Sequence, residues 1–534
     1  MSSHSTAAHY QAVFGRYFET PANLPPGTPF LWAYADRHSY GAGETVCVHV
    51  NTTAKRFRAT LVRDGLVPVT VWQKTNIEGA AYETPDQCSA EGCGWPVCFS
   101  FTVEAGWPSG GYKLMLWSEE NSRLTAETIL LVRPAPGKGR GRLLFVPPTC
   151  TWMAYNDWGG SNFYEGISGP ERNQFSPVVS ANRPFCRGFA SLPPDAPRVA
   201  LDHVPGLLAP PRYPHMEWAW RTGHSKKYAS SGWASYDRHF FHWMEREGYA
   251  VDIIAQTDLQ YRPDLIDSYS CLVFAGHDEY WSWQMRDAVD AYVEAGGHVA
   301  RYAGNFMWQI RLEDEGRRQI CYKYRARNED PVYCTEQARF ATTSWEAAEI
   351  GRPGALTFGL NATRGMYTGW GGAVARGARG FPIYRPEHWA FAGTGYGYGD
   401  VLGAASHAFG YEVDGLDYII KGGLPYPSGE EQVPEGLSIL ALGLACNVEE
   451  GEAVKAGDVF LNNEDAVFIA EILYGETGPE AVDRAKRGSG MIVNFPKGKG
   501  EVFHAGSCEW VAGLIRGDAG VEAVTRNVFN RYLA

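Results

Sequence analysis

An imidazole, two carboxylates and a phenol stand in a row at His277, Asp278, Glu279 and Tyr280. Groups of these types bind metals or move protons. The stretch holds no cysteine, and its one nearby serine hydroxyl, Ser282, falls inside a following helix, so the turn carries no nucleophile for acyl transfer. No G-x-S-x-G elbow, H-E-x-x-H helix or phosphate-binding loop occurs anywhere in the chain. Further polar groups, His239, Asn305, Glu412 and Glu509, fall at or near predicted strand and loop ends. A phenol ligates poorly while protonated, its pKa being about 10. A hard trivalent cation can displace that proton.

Residues 270–275 form an apolar, β-prone run too short for a helix, which predicts a strand buried on both faces and ended by Gly276. From Ser282 onward, Met285, Ala288, Val289, Tyr292 and Val293 recur at helical spacing, with Arg286, Asp287, Asp290 and Glu294 on the other face. His277–Tyr280 therefore lie on a strand-to-helix turn. A helix marked by Tyr236, His239, Phe240, Trp243, Met244 and Glu247, a strand at 251–255 and another at 298–302 give a β-α-β-α-β order, hence a parallel sheet. Ligands of such sheets bind outside the carboxyl ends of the strands, where Asn305 also falls. Residues 491–495 and 500–505 read as a strand pair, so Glu509 again follows a strand end, and a closing helix runs from about 521 to 533.

Ahead of this region, seven short alternating runs between residues 31 and 132 predict an immunoglobulin-like β-sandwich. The expected organisation is an arm over 1–25, the sandwich over 26–135, a Pro/Gly linker at 134–141, and an α/β domain with β-rich insertions over 142–534. A net charge of -12 without any Lys/Arg block argues against a nucleic-acid partner. No apolar run is long enough for a membrane span and no signal peptide opens the chain, so a cytoplasmic protein is expected. Most of the 11 cysteines lie singly in strand-like runs. Cys88, Cys93 and Cys98 are evenly spaced but lack the close pair of usual zinc motifs. The 18 tryptophans suggest apolar pocket walls or a subunit contact, and the loop bearing Trp152, Tyr155, Asn156, Asp157 and Trp158 is expected to wall a pocket. The alternating glycines of 393–399 do not fit a dinucleotide fingerprint.

The runs Thr151–Gly160, Gly276–Tyr280 and Ala303–Asn305, with the helix end Trp243–Gly248, resemble the catalytic large subunit of the N,N-dimethylformamidase family. The similarity covers most of the chain after about residue 26. It implies an immunoglobulin-like domain joined to a glutamine-amidotransferase-like α/β domain, and hydrolysis of a formamide with a mononuclear ferric ion held by two tyrosines and a glutamate. Tyr280 matches one family tyrosine. The position of the other carries His239, with Tyr236 one turn earlier as the alternative, and the glutamate is Glu412 or Glu313. The family's lectin-like amino-terminal part is expected to be missing.

The first reading is thus a metal-dependent hydrolase of a small amide. Tyr280, His239 and Glu412 hold iron, with zinc or no metal as alternatives. Glu279 or Glu509 serves as general base, His277 belongs to the catalytic set, and Asn305 bonds the substrate or the oxyanion. A homo-oligomer is expected, with a small accessory subunit as a further partner. Two rivals stand beside it: a carbohydrate-binding module stacking its ligand on Trp152, Trp158 and Trp281, and a structural subunit supporting another catalytic chain.

Overall fold

The computed structural model describes Glu19, Pro21 and residues 24–137, 139–198, 214–368, 378–447 and 463–534. Most of the predicted arm lies outside these residues. All seven predicted runs form strands. Leu31–Ala35, Thr45–Thr52 and Val97–Thr102 make one sheet, and Ser39–Tyr40, Thr125–Val132, Gly110–Ser118, Arg56–Arg63 and Val69–Glu78 make a second. Alternating side chains such as Val46, Val48 and Val50 from the first meet Leu114, Leu116 and Leu130 from the second in a shared core. The outward side chains Trp32, Tyr34, Ile129 and Leu131 join the large core of the α/β region instead.

Asp64 fastens the two regions together. Its side chain is 1% exposed and meets Lys113 Nζ at 3.1 Å, Arg238 Nε at 3.1 Å and the Trp233 indole N–H at 2.7 Å. Burial alone would raise its pKa, but the bond and charge of Arg238, with Lys113, bring it down to about 2. Asp64→Ala leaves both cations facing a void. The expected cost is about 3–5 kcal/mol, read as a lower denaturant midpoint, and a variant as stable as wild type would contradict the fastening role.

The α/β region is built on a nine-stranded sheet. Val251–Ile253, Leu143–Phe145, Cys271–His277, His298–Gly304 and Gly500–Ala505 run parallel, in that spatial order. Arg487–Lys497, Ser438–Cys446, Asn361–Thr368 and Tyr411–Gly415 then continue the sheet antiparallel. Cys271–His277 is buried at every residue, as its unbroken apolar run requires. Ser282 caps the helix Trp283–Ala295, accepting from Met285 N, and Met285, Val289, Tyr292 and Val293 face the core. The loop predicted at 147–160 contains a short helix, Thr149–Tyr155, all of it buried.

Candidate functional site

The central strand ends in a turn that only glycine suits. Gly276 has φ 82°, and a Cβ there would meet Tyr236 Cβ at 3.0 Å. The turn is braced from below by Arg301, a fully buried guanidinium 3.2 Å from Asp278 and 3.4 Å from Asp414. Asp414 accepts from Asn305 N at 2.6 Å, which holds Asn305 in the left-handed region at φ 63°. Glu412 arrives from the opposite end of the sheet. The strand Tyr411–Gly415 crosses back over the parallel strands, Cys508 N donating to Glu412 O, and a Cβ on Gly304 would meet that oxygen at 2.5 Å.

These elements converge on His277. Its Nδ1 lies 2.8 Å from Ser230 O, so that nitrogen carries a proton, and Nε2 faces Glu412 Oε2 at 2.7 Å and Glu279 Oε2 at 3.3 Å. Burial opposes a charge here, yet Glu412 and then Glu279 outweigh it and lift the imidazole pKa to about 10. The two carboxyls part company. Burial keeps Glu412 above the usual range, with His277 opposing, and Asn305 Nδ2 donates to it at 2.9 Å. Glu279 is buried too, but hydrogen bonding and charge from His277, with Lys323 and Tyr164, hold it below that range. Glu279 also accepts from the Tyr164 phenol and the Trp308 indole, each at 2.6 Å. Pairs driven apart in this way are the usual source of separate acid and base roles.

The cluster opens into a cavity of about 770 Å³. Tyr155, Tyr164 and Glu279 share one part of its wall, the two rings 4.4 Å apart. Lys323 lies on the Tyr164 face at 3.4 Å, almost fully buried, and its Nζ has no hydrogen-bond partner among the described residues. Burial lowers its pKa to about 8, with Glu279 opposing. A second donor group, His277, Glu412 and Cys508, has atoms within 4.8 Å of one another. Burial first, then Glu412, holds the Cys508 thiol far above its usual pKa, which makes a thiolate ligand there unfavourable.

Of the predicted residues, the structure brings together His277, Glu279, Asn305 and Glu412. Tyr280 is one step removed, since its phenol donates to Tyr164 Oη at 2.8 Å from behind the cavity wall. His239 is not brought to the cluster: it is half-buried on the Arg238–Arg246 helix, and the charges nearest it are Arg198, Arg238 and His242. Tyr236 donates to Ala229 O at 3.0 Å. Glu509 is fully buried in a two-oxygen ion pair with Arg198, at 3.0 and 3.2 Å, so it is not a free base. Glu313 is exposed and pairs with Arg318. Trp152, Trp158 and Trp281 are buried in the core rather than lining the cavity, which removes the stacking platform of the carbohydrate reading. Cys88 and Cys93 are buried beside Gly159 and Asn182, while Cys98 sits on a strand by Glu78 O. Sequence reasoning missed Tyr164, Lys323 and Trp308 as site residues. For Tyr164, its place just after the Thr151–Gly160 run was the available signal.

A family model described as N,N-dimethylformamidase beta subunit-like, C-terminal, matches residues 58–522. The N,N-dimethylformamidase beta subunit of an Alcaligenes species is 22% identical over 280 residues, 51% of this chain and 33% of the relative. That of Paracoccus aminophilus is 21% identical over 280 residues, with the same 51% and 33% coverage. The matched part of this chain thus spans about a third of each relative's length. Among solved structures, the sporulation control protein Spo0M from Bacillus subtilis overlays at 16% identity with a TM-score of 0.15, covering 21% of this chain and 51% of that one, too loosely to bear on the fold. Among the described residues, no helix is long and apolar enough to cross a membrane.

Proposed function

The chain belongs to the N,N-dimethylformamidase beta subunit-like family, matched in its C-terminal part, and from that membership and the site we propose that it hydrolyses the C–N bond of an amide. The observation that carries the reading is His277 held between Glu279 and Glu412 at the carboxyl end of a parallel strand, open to an aromatic-walled cavity. Glu412 takes a proton from the attacking water, since of the two buried carboxyls it is the one held above the usual range, the partners of Glu279 outweighing its burial. The His277 imidazolium returns a proton from Nε2 to the departing nitrogen. Asn305 orients Glu412 and hydrogen-bonds the substrate. On this account the chain is the counterpart of the family's catalytic large subunit, with an immunoglobulin-like sandwich and a glutamine-amidotransferase-like α/β domain. It works in the cytoplasm as a homo-oligomer, alone or with a small accessory subunit.

Two phenols and a carboxylate suit a ferric ion, and the trio at the cavity wall that fits is Tyr155, Tyr164 and Glu279 rather than Tyr280, His239 and Glu412. Burial first and Glu279 second keep both phenols protonated in the free chain, so only a cation hard enough to displace those protons matches them. When bound, such an ion supplies Lewis-acid polarisation of a carbonyl. Protein grown with ample iron is expected to carry about one iron per chain and a visible phenolate band. Tyr164→Phe should abolish the band, and Tyr280→Phe should only perturb it. A colourless, iron-free wild type would contradict this part. The hydrolase reading is tested separately by amine release from a panel of amides, and release from none of them would contradict it.

A further inference from the structure

We infer that the substrate is a secondary aromatic amide, Ar–NH–CO–R, without negative charge; this rests on the amide-hydrolase reading and names the substrate of the same site. The cavity of about 770 Å³ is far larger than a small formamide needs. Five heavy atoms fill on the order of 100–150 Å³ at roughly 20–30 Å³ each. The wall that runs on from Glu279 is aromatic: Trp308, whose indole donates to Glu279, lies 5.4 Å from the Phe468 ring, which is 4.8 Å from Tyr324, and Met307 and Met366 also line the cavity. A ring placed there gains edge-to-face and stacking contacts beyond its buried area.

A hydrogen bond left unmade specifies the amide itself. Asn305 is 3% exposed and lines the cavity, and its Oδ1 has no hydrogen-bond partner among the described residues. Nδ2 lies 3.3 Å from His277 Nε2 but 2.9 Å from the Glu412 carboxylate, and turning the amide over would set Oδ1 against that carboxylate, so the shorter contact sets the orientation. A buried acceptor without a donor carries an uncompensated desolvation penalty. An amide N–H supplies the donor, and an N,N-dialkylamide has none.

Charge narrows the class further. Among the described residues the lining holds Glu165, Glu279, Glu412, Glu464, Asp465 and Glu471 with Lys227 as its own cation, while His277, Lys226, Arg327 and Lys323 offset most but not all of that charge from just behind the wall. A substrate carboxylate would meet the negative charge that remains on this wall, so an uncharged amide is favoured over an N-acyl amino acid. In the reaction, the water oxygen bonds to the carbonyl carbon and the C–N electron pair leaves with nitrogen. Nitrogen gains one proton, and the products are the arylamine, the carboxylate and a proton released to solvent.

The test compares formanilide, N-methylformanilide, 4-formamidobenzoate and N,N-dimethylformamide, following turnover and, by calorimetry, binding. Formanilide is expected to lead in kcat/KM by tenfold or more over each of the others, and Phe468→Ala to narrow its lead. Binding of formanilide over the others without turnover would uphold the ligand class while sinking the hydrolase reading. Turnover of N,N-dimethylformamide or N-methylformanilide at least as fast as formanilide would overturn the inference and leave the hydrolase reading standing. Neither binding nor turnover of any of the four would overturn both.

Discussion

Glu279→Gln is expected to lower kcat for amide hydrolysis by about 10²-fold or more, with the fold retained. The side chain keeps its size, so packing around it is preserved. What is lost is the charge facing His277 and one of two oxygens that accept from Tyr164 and Trp308. An amide NH2 turned toward either donor leaves an N–H or O–H buried without an acceptor, so the Tyr164 ring is also released from its place. The checks are steady-state turnover and a thermal midpoint on the same preparation. Turnover within a few-fold of wild type would remove Glu279 from the site.

Glu412→Gln carries the second large effect, a fall in kcat of about 10²–10⁴-fold with little change in KM, the scale of losing a proton-transferring group. Glu412 is the closer carboxylate to His277 and the one Asn305 serves, so the variant removes the proton acceptor and lowers the affinity of His277 for its proton together. Glu509→Gln makes the contrast. It breaks a buried pair with Arg198, so it should cost stability while the folded fraction keeps its kcat. Equal kcat losses in the two variants would mean that the base has been misplaced.

The parallel strands, the turn at His277 and the seven sandwich strands were legible because each is written in local pattern: an unbroken apolar run, a period of 3.6 or a period of two. Asn305 and Glu412 were legible only as polar groups near strand ends. Their meeting depends on the crossing back of Tyr411–Gly415, a long-range event with no local signature. His239 was misread because a histidine on an apolar helix face looks the same whether the face turns to a site or to Arg198 and Arg238. Tyr280 and Tyr164 are adjacent phenols from distant segments, and the sequence cannot say which stands in front. Arg286, assigned to the solvent face of its helix, is fully buried on the Trp345 ring at 4.2 Å, since a later segment covers it. The tryptophans that looked like a stacking platform fill the core for the ordinary reason that large apolar rings bury best.

The most direct measurement is hydrolysis in ¹⁸O-enriched water, with both products weighed by mass spectrometry. The site as read delivers water to the carbonyl carbon, so each turnover should place one heavy oxygen in the carboxylate and release one equivalent of amine. Unlabelled carboxylate, or no cleavage of any amide in the panel, would contradict it.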